Sequence, residues 1–301
     1  MRGGRISGLW QDCFHDEKAF VRLFFRKLYH CRQAFVIVRK GRIVSSLQLL
    51  PYSMTGRDGE TPFRLAYIAG CCTHPACRGR GYMRRLLREA TGAAKEQGFD
   101  VAALIPAEPQ LFAYYKAADF TTAYSFGHTA YTVTDLTGAD LPDSRILRLD
   151  GRNADRFYPF FARHFRRREN CIQLNALQFR AAVADAVLDG GGAYVLQSSV
   201  GRRPTALVFV TQPPTTLDRQ TMSCSAETLY IKEAMSADEE SLRVIIARLL
   251  ALYRKPSAIC RLPANAVEQS SSLVPYGMAI SLSERYTIDE QAQGYINLML
   301  D

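Results

Sequence analysis

Arg78-Gly79-Arg80-Gly81 stands between an apolar run that ends at Thr73 and a segment whose apolar residues Met83, Leu86, Leu87, Ala90 and Ala94 recur at helical spacing. The order is strand, glycine turn, helix, and it suits the binding of an anion. The first N–H groups of a helix have no intrahelical partner and carry the positive end of its dipole. Glycines let the main chain approach the anion closely. Arg84 and Arg85 in the first turn point the same way, because a cation there is unfavourable by about 0.3–1 kcal/mol. A bound diphosphate reverses that sign.

Residues Arg78, Gly79, Arg80, Gly81, Tyr82 and Met83 resemble the Arg/Gln-x-x-Gly-x-Gly/Ala loop of the GCN5-related N-acetyltransferases, the GNAT superfamily, with Met83 where Gly or Ala is usual. Downstream, Leu111-Phe112-Ala113-Tyr114-Tyr115-Lys116-Ala117-Ala118-Asp119-Phe120 resembles that family's Phe-Tyr-x-x-x-Gly-Phe segment, with Asp119 in place of Gly. The resemblance covers roughly residues 6 to 134. It implies that the amides of the loop hold the pyrophosphate of acetyl-CoA, and that Cys71, Cys72 and Thr73 contact the pantetheine, largely through backbone. It also implies that Tyr115 protonates the leaving thiolate, with Tyr114 in that role if the register is off by one. A phenol suits the task because it keeps its proton near neutral pH.

Many relatives place a Glu on the strand before the loop, yet Leu65 to Gly70 contains no carboxylate. Asp58, Glu60, His74 and the terminal Asp301 are the candidate bases. The terminus enters because the plan of a GNAT half followed by a degenerate one resembles the Eis-like acetyltransferases. In those proteins a sterol-carrier-like third domain follows and the final carboxylate reaches the active site. This chain is too short for that domain, but its apolar finish, Tyr295 to Asp301, is expected to pack as a strand and bring Asp301 near the thioester.

These residues must be carried by an α/β fold with a mixed sheet. In the first half Asp16 is expected to cap a helix with Phe20, Leu23, Phe24 and Leu28 on one face, followed by strands at Ala34 to Val38, Ile43 to Leu50 and Leu65 to Thr73. After the anion-site helix come a strand at Val101 to Ile105, a short helix at Pro109 to Ala118 and a strand-like run from Thr122 to Val133. The second half repeats the plan about 160 residues later: a helix capped by Asn175, strands at Ala193, Thr205 and Glu227, a helix at Glu239 to Tyr253 and a strand at Ala258. There the turn before the long helix has no glycine, and Ser236-Ala237-Asp238-Glu239 reads as a capping box that satisfies the helix N–H groups and repels a phosphate. The expected organisation is therefore tandem GNAT-like lobes: 1–140 catalytic and acetyl-CoA-binding, 141–301 degenerate.

Composition restricts the partners. The net charge of +9 suits an acidic partner, but no zinc spacing, helix-turn-helix signal or RNA-binding motif accompanies it, so nucleic acid is not expected. The run Arg78 to Arg88 is assigned to a phosphorylated cofactor, and Arg163 to Arg168 to a solvated helix face. Eight cysteines form no disulfide framework. Cys71, Cys72, His74 and Cys77 are not expected to bind metal, since adjacent strand residues point to opposite faces. Neither a signal peptide nor a run of ~20 apolar residues is found, so a cytoplasmic enzyme without membrane partners is expected. The expected reaction is transfer of acetyl from acetyl-CoA to a primary amine on a small molecule or peptide, by direct attack, since the nearby cysteines lack a committed His base. The alternative is a non-catalytic acyl-CoA-binding regulatory module. The acceptor and any self-association are left open.

Overall fold

The computed structural model describes residues 2–56, 62–211, 227–266, 273–288 and 294–297. In the first half, helices α1 (Arg2–Phe14) and α2 (Lys18–Lys27) precede strands β1 (Ala34–Arg39), β2 (Arg42–Met54) and β3 (Phe63–Thr73), then α3 (Tyr82–Glu96), β4 (Val101–Leu104), α4 (Gln110–Lys116) and β5 (Thr121–Thr132). The second half runs β6 (Ser144–Arg148), α5 (Ala154–Arg166), the short β7 (Ile172–Gln173), α6 (Ala176–Leu188), β8 (Gly192–Ser198), β9 (Pro204–Thr211), β10 (Thr228–Ser236), α7 (Glu239–Tyr253), β11 (Ser257–Pro263) and β12 (Val274–Ser281).

One mixed sheet carries these strands in the order β1-β2-β3-β4-β12-β5-β11-β10-β9-β8-β6, with β7 paired to β2. The order contains an exchange. β12, from the end of the chain, lies antiparallel between β4 and β5, while β5, from the first half, lies antiparallel between β12 and β11. Each half thus lends one strand to the other's sheet. β3–β4 and β10–β11 are the parallel pairs, each bridged by a long helix, α3 or α7, as a parallel connection requires.

Helices cover both faces. On one, Trp10, Phe24, Phe161, Phe165 and Phe179 of α1, α2, α5 and α6 pack with Leu50, Leu65 and Phe209. On the other, Leu86, Leu87, Ala90 and Ala94 of α3 pack with Leu47, Leu49, Ala66 and Ile68, and Ile245, Ile246 and Leu249 of α7 cover the second half.

Several local expectations change. Asp16 is not the cap of α2: Glu17 holds that position without a side-chain bond, and the Asp16 carboxylate accepts the Trp10 indole N–H at 2.6 Å. The cap of α7 is Asp238, which accepts the Ser241 amide at 2.7 Å. Ser236 instead ends β10 and gives its carbonyl to His164. The Arg163 to Arg168 run is not uniformly solvated, because the Arg168 side chain is 16% exposed and donates at 2.8 Å to the fully buried Glu233. Asn175 does cap α6, in a capping box with Gln178.

Candidate active site

Residues 65 to 67 of β3 pair with β4, and there the two strands part. β4 continues on β12 instead, so among the described residues the β4-facing edge of β3 from Ile68 to Thr73 has no strand partner. Along the same stretch β3 carries a bulge. Ser46 faces Cys72 while Gln48 faces Ala69, which leaves one extra residue on β3, and Gly70 there has φ +59°. An added Cβ at Gly70 would sit 2.2 Å from the Trp10 ring. The bulge reverses the alternation of side chains beyond it. Ala69 packs on the α1 side of the sheet, whereas Cys71 reaches the α3–α4 side and Cys72 turns back toward Ser46, 3.3 Å away.

That reversal delivers Cys71 to Tyr115. The phenol of Tyr115, on α4, is buried in the same cluster that Cys71 packs against. Burial, with Cys71 adding to it, pushes the Tyr115 pKa well above the usual phenol value. Burial also pushes the Cys71 thiol up to about 12. Both groups therefore hold their protons at neutral pH. Tyr114 stacks edge-on to Tyr115 at 5.4 Å and stands nearer Arg84.

Beyond β3 the chain makes a single 3₁₀ turn, Pro75–Cys77, capped by His74, whose Nδ1 accepts the Ala76 amide at 3.3 Å. Gly79 and Gly81 then adopt φ +75° and +73°, with open space where a Cβ would stand. Gly81 is the N-cap of α3 and supplies no side chain to the helix amides. The Arg78 amide is engaged, donating to the Pro75 carbonyl at 3.2 Å, and the α3 ladder begins with Arg85 N–H on Gly81 O at 3.0 Å. Among the described residues, no acceptor is paired with the amides of residues 79 to 84. The open amides thus begin one residue later than the motif suggests. Around them Arg78, Arg80, Arg84, Arg85 and Arg88 are exposed, with Arg85 paired to Glu89 at 2.7 Å. Arg39 from the β1–β2 hairpin lies over the Tyr82 ring at 5.6 Å and extends the basic rim. Nothing in the local sequence marks Arg39 for this place.

The same positions in the second half are filled. β10 also carries an extra residue, at Lys232, and also parts from β11 after Ile231. There the Lys232 carbonyl accepts Asn297 Nδ2 at 2.7 Å, and the Ala234 carbonyl accepts Arg168 at 3.4 Å. The Glu233 carboxylate accepts the Tyr295 hydroxyl at 2.7 Å and Asn297 at 2.9 Å. Asp238 closes the helix end. The segment 294–297, which is bridged to Tyr124 and Cys171, therefore occupies the cleft that the first half keeps open.

Of the residues singled out by sequence, Cys71, Tyr82, Met83 and Tyr115 share one side of the sheet, Arg78 to Gly81 form the turn into α3 that follows Thr73, and Cys72 is buried beside Ser46. Asp58, Glu60 and Asp301 lie outside the described residues.

Comparison with known proteins agrees with this geometry. The profile of the acetyltransferase (GNAT) domain matches residues 5–123. A search of curated protein sequences found no match. Among solved structures, a GCN5-related N-acetyltransferase from Anabaena variabilis superposes with a TM-score of 0.71 at 15% identity, over 93% of this chain and 70% of that one. One from Kribbella flavida gives a TM-score of 0.64 at 16% identity, over 92% and 67%. Eis1 from Mycobacterium abscessus gives 0.66 at 13%, over 93% and 71%. Residues 5–123 thus match an acetyltransferase (GNAT) domain, and the chain shares the fold of these solved N-acetyltransferases.

Proposed function

We propose that the first half binds acetyl-CoA and transfers its acetyl group to a primary amine by direct attack, and that the second half binds no cofactor. The observation that carries this reading is the contrast between the two clefts. In one, six successive amides and a strand edge are open beneath arginines. In the other, the corresponding positions hold Asp238, Asn297 and Arg168. We take the lobes as 1–140 and 141–301, in a cytoplasmic enzyme; the seven cysteines among the described residues are all free thiols, which supports a reducing compartment.

The residues fit the cofactor. The amides of Gly79 to Arg84 present several donors to one diphosphate, and the arginines offset its charge. The open edge of Ile68 to Thr73 suits an extended, amide-containing chain such as pantetheine, laid beside β3 as a further strand would be. Acetyl-CoA supplies an activated acyl group and a thiolate that leaves. Tyr115, whose burial keeps its proton in place, donates that proton to the sulfur. Holding thioester and amine in one cleft contributes through alignment, up to roughly 7–11 kcal/mol in ideal cases.

Thiol release from acetyl-CoA, measured against a panel of polyamines, aminoglycosides, amino-acid derivatives and peptides, tests the reading. Amine-dependent release that disappears on Tyr115→Phe supports it. Tight binding of acetyl-CoA with no release on any amine would favour the regulatory module instead.

A further inference from the structure

The positive surface around the loop extends past the amide cradle. The β1–β2 hairpin, Arg39-Lys40-Gly41-Arg42, is exposed and sits at the same end of the sheet as the loop. There Ser45 pairs with Thr73, the His74 amide donates to the Val44 carbonyl at 2.9 Å, and Arg39 lies over the Tyr82 ring. Neither the hairpin nor the stretch from His74 to Arg88 contains a carboxylate. Among the described residues, the ion pair of this surface is Arg85 with Glu89. The cations are also set against one another. Arg39 and Arg42 stand directly opposite in the ladder, and Arg84 and Arg88 lie four residues apart on α3, both unfavourable arrangements for like charges. Arg88 is beyond the first turn, where the helix dipole acts, and Lys40 and Arg42 belong to another element. An anion held in the cradle leaves these cations unanswered.

We propose that the hairpin and the exposed arginines of α3 dock an acidic carrier protein that brings an acetyl group on a phosphopantetheine arm, so that the cleft takes this donor as well as acetyl-CoA. The proposal rests on the cofactor reading above and extends it to a second class of donor. Position selects this partner over another polyanion. The cations flank the loop that follows the open edge of β3, and that edge suits a pantetheine chain. Such a carrier joins its arm to a side chain through one phosphate, which the amides of 79 to 84 can accept. Carboxylates around the point of attachment then meet Lys40, Arg42 and Arg88.

The reaction is the one proposed for acetyl-CoA. The amine nitrogen forms a C–N bond to the acetyl carbon, the C–S bond breaks, and the proton lost by the amine ends on the thiol of the arm, which stays on the carrier. Charge complementarity across an exposed surface acts mainly on encounter and on choice of partner, and salt screens it beyond about 10 Å at 0.1 M. Carrier binding therefore falls with ionic strength more steeply than binding of acetyl-CoA, which the main-chain amides hold at short range.

The test uses the full chain and an acidic bacterial acyl carrier protein, prepared without its arm and with the arm acetylated, and acetyl-CoA as the reference. Dissociation constants are read by calorimetry. The acetylated carrier is expected to bind at least about tenfold more tightly than the armless form. Joint Lys40→Glu and Arg42→Glu substitution should weaken the acetylated carrier by about tenfold or more and acetyl-CoA by less than about threefold. The retained acetyl-CoA affinity also shows that the variant folds. Equal binding of the two carrier forms, or an unchanged carrier affinity in the double variant, would overturn the proposal. So would tighter, hairpin-dependent binding of a DNA duplex or a phosphatidylglycerol vesicle. Heat with acetyl-CoA but none with the acetylated carrier overturns the proposal and leaves the cofactor reading standing, whereas no heat with either refutes both.

Discussion

Gly81 and Gly201 form a matched pair for separating fold from function. Both hold a left-handed backbone, φ +73° and +72°, and both have room for a Cβ, with nothing within 4 Å of the first and only an Arg203 methylene carbon at 4.0 Å from the second. Alanine at either position therefore meets no steric wall, and the left-handed strain of about 1–2 kcal/mol drives its backbone to turn out of that conformation. Melting temperatures should fall by about 2–4 °C for each kcal/mol lost. The consequences for acetyl-CoA should differ. Gly81 caps α3 and its amide and that of Tyr82 belong to the open run 79–84, whereas Gly201 lies in the β8–β9 turn. A hydrogen bond to a charged group is worth about 1.5–3 kcal/mol, so displacing one such amide should weaken binding by about 10- to 150-fold. Titration calorimetry on the two variants, with melting curves alongside, reads both quantities. Similar stability losses with affinity lost only in Gly81→Ala are expected. Equal affinities in Gly81→Ala, Gly201→Ala and the parent would refute the amide cradle.

Other perturbations follow from the same geometry. Tyr115→Phe should lower kcat by about 10²- to 10⁴-fold with little change in KM for acetyl-CoA, measured by initial rates. Because burial raises the Tyr115 pKa, its proton is retained as pH rises through the ordinary phenol value of 10.0, so the parent should show no alkaline fall in rate from this group below that pH. Removing the Arg168 guanidinium with Arg168→Met strands the fully buried Glu233 carboxylate and should cost about 3–5 kcal/mol in chemical denaturation, with part regained on adding Glu233→Gln. Asp119 is exposed at φ +67°, where the family motif has Gly. Asp119→Gly should stabilise the protein by about 0.5–1 kcal/mol, seen as a raised melting temperature without loss of activity.

What could be read from sequence was local. The glycine turn, the helical spacing from Met83 to Ala94 and the tyrosine of α4 are each set by neighbours a few residues apart. The bulge was marked by Gly70 inside an apolar run, a sign of close backbone approach, but its partner Trp10 sits on α1, whose three glycines mask the helical spacing of Ile6, Leu9 and Trp10. The α7 cap moved from Ser236 to Asp238 because β10 runs on through Ser236, and strand pairing with Ala206 outweighs a capping box. Arg168 reads as the end of a charge run because its partner Glu233 lies far along the chain. The exchange of β5 and β12 is a pairing between distant segments, and neither strand's own pattern names its neighbours. The filled second cleft depends on that same long-range placement of residues 294–297.

The most direct measurement is calorimetric titration of the reduced full chain with CoA and, separately, with pantetheine, which has the same extended arm but no diphosphate. One CoA per chain is expected, bound at least tenfold more tightly than pantetheine and weakened by Gly81→Ala. Two sites per chain, equal affinity for the two ligands, or no heat with CoA would contradict an anion cradle that is open in the first half and closed in the second.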